Sequence, residues 1–147
     1  MGHVANRTTL IVLQVFVAFT AILGAIFVVP TLPLDWIKAG PMTDFTIPAV
    51  ALGLCGLAAA VAVVLLVVDP RLGGAASVVA GALMIAFELV EIAVVGFALT
   101  VHGADQPQSW LQIVYIAIGA IGMVLGYRLW DALSHPRAMA HPAHPAH

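Results

Sequence analysis

Two carboxylates, Glu88 and Glu91, lie one helical turn apart in the middle of an apolar run from Ala75 to Val101. A helix of about 20 such residues crosses a bilayer, and an ionised carboxylate near the bilayer centre is costly unless paired, hydrated or neutralised. No lysine, arginine or histidine lies deep in any apolar run of this chain, so no positive side chain is placed to pair with either glutamate. Desolvation and repulsion at i, i+3 then favour the neutral acid for at least one of the two. The last apolar run places Gln112 and Tyr115 at a matching depth, as hydrogen-bond partners with Glu91 the nearer carboxylate. Such a patch is expected to be a protonatable or cation-binding site reached from outside, or a neutral hydrogen-bonded pair that fixes helix packing.

Other chemistry is thin. Carboxylate-bridged di-metal bundles need glutamates and Glu-x-x-His pairs on facing helices. Here one run carries both carboxylates, and the nearest histidine beyond them is His102. The C-terminal His141, His144 and His147 repeat every third residue. A polyproline conformation would align them on one side about 9 Å apart, too far for one coordination sphere. A flexible tail is expected there, with weak transition-metal capture as the lesser alternative. Asp35, Asp44 and Asp105 gather at one end as solvated carboxylates, with Asp44 placed to cap the second helix together with Thr43 or Thr46. No Ser/His/Asp set, phosphate-cradling loop or nucleotide fingerprint is present, so the sequence points to no enzyme and no cofactor.

The elements that position the glutamates follow from hydropathy. Of 147 residues, 63% are hydrophobic and only 8% charged, and the mean hydropathy is +1.10. Soluble domains carry roughly a quarter charged residues, so this is the composition of an integral membrane protein. A net charge of −2 offers no basic surface for nucleic acid. The single cysteine, Cys55, excludes a disulfide framework.

Four spans are expected, at about residues 9–29, 47–68, 75–101 and 110–130, within one domain. Residues 1–8 form a short polar N-terminus and 131–147 a His/Pro/Ala-rich tail. The first run is long for a signal-peptide core and no clean A-x-A site follows it, so it reads as a retained span. Pro30 to Thr46 is a partly apolar loop, and Asp69 to Gly74 a tight turn rich in Pro and Gly. Arg7, Arg71, Arg128 and Arg137 fall on one side of the spans and only Lys38 on the other, which puts both termini in the cytoplasm. Trp36 and Trp110 would then mark the outer interface, and Tyr127 and Trp130 the inner one.

Each run also carries a stripe of small and polar residues at helical spacing, the type that lets membrane helices approach closely. The stripes are Gln14, Ala18, Ala21 and Ala25; Gly53, Gly56 and Ala60; Ser77, Gly81, Met84, Glu88, Glu91 and Val95; and Gln112, Tyr115, Gly119, Gly122 and Gly126. Short connections make successive helices antiparallel neighbours. The expected fold is an all-α, antiparallel four-transmembrane-helix bundle with a polar patch inside. The Gly122-x-x-x-Gly126 pair is an alternative homodimer contact.

Gly40-Pro41-Met42-Thr43-Asp44-Phe45-Thr46-Ile47-Pro48, with Ser109-Trp110-Leu111-Gln112, resembles a group of small, uncharacterised four-helix bacterial inner-membrane proteins. The resemblance covers most of residues 9–130. It implies an inner-membrane location and four helices, and carries over no catalytic residues. It also implies an aromatic or neutral polar residue where this chain has Glu88 and Glu91, which would make the pair particular to this protein. Small multidrug carriers share the helix count and a membrane glutamate, but theirs lies in the first helix, where this chain has only Gln14.

Besides the lipid bilayer, the expected partners are a second copy or a larger membrane complex. The first functional expectation is an interaction or accessory subunit. The alternative is a proton- or cation-coupled carrier or channel using Glu88 and Glu91 as a homodimer.

Overall fold

A computed structural model describes residues 2–32, 44–96 and 108–135. These residues are helical almost throughout. Helix α1 spans Gly2–Leu23 and continues through a π turn, Gly24–Val28, into a 3-10 turn, Val29–Thr31. Helix α2 spans Thr46–Val68, α3 Pro70–Val95 and α4 Gln108–Ser134. All four are long and apolar enough to cross a membrane. Trp36, Lys38, Asp35, Thr43, His102, Asp105, Arg137, His141, His144 and His147 lie outside the described residues.

Three boundaries differ from the sequence reading. The N-terminal residues form the first turns of α1, because Arg7 has a structural partner. Its Nε donates to Leu66 O at 2.8 Å and its Nη2 to Val67 O at 3.1 Å. The last carbonyls of α2 have no intrahelical partner, so the guanidinium caps them and ties α1 down. Arg7→Ala is expected to cost about 1–2 kcal/mol, with Arg7→Lys recovering part, read from the midpoint of unfolding in mixed micelles.

The second difference is the turn between α2 and α3, which is a single residue. Asp69 is extended and accepts hydrogen bonds from Arg71 N and Leu72 N. It thus N-caps α3, with Pro70 in the first turn where its missing N–H costs nothing. Gly73 and Gly74, read from sequence as turn residues, are inside the helix. They are needed there for proximity, since a Cβ on Gly73 would overlap the Leu66 backbone.

The third is the end of α3 at Val95. Gly96 follows with a φ of 92°, a positive value that glycine adopts without a Cβ penalty. At the start of α2, Asp44 accepts from Thr46 N at 2.8 Å. That bond, with a further one from the Thr46 side chain, holds the exposed Asp44 carboxyl below the usual carboxylate range.

One half of the α3–α4 contact is built from glycines. Helices α3 and α4 meet through two glycine pairs, Gly74 with Gly126 and Gly81 with Gly119. A Cβ on any of the four would stand within 2.9 Å of the partner's carbonyl oxygen. Gly122 faces Gln14 of α1, whose Nε2 would sit 3.4 Å from an added Cβ. The Gly122/Gly126 pair is therefore taken up by contacts within the chain and is not free for the homodimer contact considered from sequence. The buried line of α2 runs through Leu52, Cys55, Gly56, Ala59, Ala62 and Leu66, one step round from the expected stripe. The reason is that α2 has neighbours on two sides: Gly56 faces Ile22 of α1 and Cys55 faces Leu83 of α3.

Candidate functional site

The glycine pairs occupy one half of the α3–α4 contact. Beyond Gly81 the sequence of α3 has no glycine before Gly96, and α4 has none before Gly119. In that half, larger side chains must fill the interface, and there the carboxyls lie.

Glu88 is 2% exposed and Gln112 1%, while Glu91 is half-buried. Gln112 Nε2 donates to Glu91 Oε1 at 2.9 Å, so the two helices are joined by a partly buried polar contact. Glu88 is different. Its Oε2 is buried and has no hydrogen-bond partner among the described residues. A buried polar atom left unpaired costs roughly 1–3 kcal/mol, so this oxygen is an unusual feature of a packed interior.

Tyr115, 6% exposed, lines the same wall as Thr20 of α1. The Thr20 hydroxyl donates to Phe16 O at 2.7 Å. Thr20 lies off the small-residue stripe of α1, and its hydroxyl among apolar neighbours was the one signal that pointed to it.

Glu88, Glu91, Gln112, Tyr115 and Thr20 all line one cavity of about 320 Å³. Its other walls are apolar, and Phe45, Phe87 and Leu52 contribute. The volume is at the lower end of small-molecule sites, roughly 300–1,000 Å³, and about twice a dry apolar cavity that admits benzene.

The π turn shapes the α1 wall. Pro30 has no N–H to give to Ile26, and Val29 N–H instead reaches Gly24 O, five residues back. The wider turn brings Val28 and Val29 to the cavity beside Gly24. Single π turns inside α-helices recur at functional sites.

Among the described residues, no lysine, arginine or histidine lines the cavity. Among the described residues, no group of three or more His, Cys, Asp or Glu is arranged to hold a metal ion. The arrangement can therefore do two things chemically. It can hold and release a proton at Glu88, and it can receive a hydrogen-bond donor at Glu88 Oε2.

Compared with known protein families, with curated proteins and with solved structures, the chain matches none.

Proposed function

We propose that this chain is a small multi-pass protein of the inner (plasma) membrane, built as an antiparallel four-helix bundle with both termini in the cytoplasm. Its Glu88–Glu91 pair is a proton-exchange site of the kind used by proton- or cation-coupled carriers, acting as a homodimer because four helices rarely enclose a pathway alone. The observation that carries this reading is the unpartnered Glu88 Oε2 on the wall of a cavity. A carboxyl needed only to fix packing would be satisfied, as Glu91 is by Gln112.

Further observations support the placement. The contacts Arg7–Leu66, Gly73–Leu66 and Gly74–Gly126 each pair an early part of one helix with a late part of its neighbour. Arg7, Arg71 and Arg128 fall at the ends of their helices away from the cavity, as cytoplasmic residues should. Trp110 is separated from Tyr127 and Trp130 by about 26–30 Å of helix, the thickness of the hydrocarbon core.

The test is a potentiometric titration of the purified protein in mild detergent, beside Glu88→Gln. Wild type is expected to take up about one proton per chain more than the variant, because Glu88 exchanges with solvent. Equal uptake, with stable co-purification in a larger membrane complex, would favour the accessory-subunit reading instead.

A further inference from the structure

The cavity has one polar wall and an otherwise hydrocarbon lining, which selects a ligand with one polar head and an apolar body. The nature of the head follows from which groups are already occupied. Gln112 donates to Glu91, and the buried oxygen left open on this wall is Glu88 Oε2, on a side chain only 2% exposed. A head that donates a hydrogen bond satisfies it.

It should also be positive. Among the described residues, the titratable groups facing Glu88 are Glu91 on its own helix, Cys55 on α2 and Tyr115 on α4. None of these supplies positive charge, and α1 contributes only the Thr20 hydroxyl and apolar side chains to this wall. An alcohol would leave the carboxyl in its acid form. An ammonium head both donates to the oxygen and compensates the carboxylate, so that binding displaces the carboxyl proton.

A bare inorganic cation fits poorly. Calcium takes about 6–8 oxygen ligands, and magnesium keeps near-ideal octahedral geometry with several waters. This site offers two carboxyls, one of them already engaged by Gln112. By contrast, Phe45, Phe87 and Tyr115 line the same space, and aromatic faces attract an organic ammonium and pack against an aromatic body.

We propose that this cavity binds an aromatic monoamine in its ammonium form, with the head on Glu88 Oε2 and the ring among Phe45, Phe87 and Tyr115. The inference rests on the proton-exchange reading above and names the ligand class of that site. Binding is an exchange: the neutral Glu88 acid and the ammonium give a carboxylate–ammonium pair, and the carboxyl proton leaves to solvent.

The probe is 1-naphthylmethylamine, added to the purified protein in weakly buffered detergent at neutral pH, with proton release and heat followed together. The expected result is saturable binding with release of about one proton per amine bound. Glu88→Gln should weaken it about tenfold or more, the worth of one charge-assisted hydrogen bond, and abolish the release. The second measurement needs no variant: 1-ethylnaphthalene, which replaces the amine by a methyl group, should bind wild type about tenfold more weakly or worse, with no proton released.

Equal binding of amine and hydrocarbon would overturn the proposal, since the cavity would then take apolar matter without using Glu88. So would release provoked equally well by magnesium or calcium chloride. If the excess proton of wild type over Glu88→Gln is present but the amine releases none, only the ligand assignment fails. If that excess is absent, the proton-exchange reading fails with it.

Discussion

Gly73→Val is expected to prevent the protein from folding to its native bundle. The α2–α3 connection is one residue long, so the first turn of α3 lies against the last turn of α2. Gly73 N donates to Asp69 O at 2.8 Å, which fixes it in the helix, and a Cβ there would overlap Leu66 N and Cα. Both colliding groups are backbone, so no rotamer change relieves the overlap. The helices would have to part or the cap at Asp69 would have to break. A cost of about 3 kcal/mol or more is expected, the upper range of overpacking.

Gly53→Ala is the control, because its Cβ would meet Ala25 Cβ at 3.6 Å, an ordinary contact. There the gain in helix propensity, up to about 1 kcal/mol, should show as a small stabilisation. Circular dichroism against detergent-mixture composition checks both. A Gly73→Val protein as stable as wild type would show that the hairpin is looser than described.

Glu88→Leu separates stability from function. Leucine has nearly the volume of glutamate and no oxygen to leave unpaired, so the unfolding midpoint should stay equal or rise, by up to about 1–3 kcal/mol. The exchangeable proton and amine binding should both disappear. Gln112→Leu is the contrast, because it strips Glu91 of its donor at 2.9 Å. It should lower stability by about 0.6–1.7 kcal/mol, the range measured for hydrogen bonds between membrane helices. The pair of outcomes distinguishes a carboxyl that holds helices together from one kept for another purpose. A large stability loss in Glu88→Leu would assign Glu88 to packing.

The helix count and the polar residues of the site were legible because they depend on local quantities. Runs of apolar residues give the helices, and a period near 3.6 gathers Ser77, Gly81, Met84 and Glu88 onto one buried line of α3. What sequence alone did not give depends on which residues meet. Arg7 reads as a terminal charge until the carbonyls of Leu66 and Val67 are beside it. Gly73 and Gly74 read as turn-formers because Pro and Gly punctuate helices; their role is close approach, which the periodicity of one helix does not contain.

The stripe of α2 was displaced for a similar reason, since a helix with two neighbours buries two faces and the smallest residues mark only one of them. The cavity itself was beyond sequence reasoning. It arises from the π turn at Gly24 and from the absence of glycine along one half of α3 and α4. No single residue signals that combination.

Infrared difference spectroscopy of the purified protein tests the role of Glu88 most directly, because the carbonyl stretch of a protonated carboxyl is distinct from the bands of a carboxylate. Wild type at neutral pH is expected to show an acid carbonyl band that is missing from Glu88→Gln. That band should give way to carboxylate absorption when 1-naphthylmethylamine is added. A band that is absent from wild type, or that persists unchanged in Glu88→Gln, would contradict an exchangeable proton on Glu88.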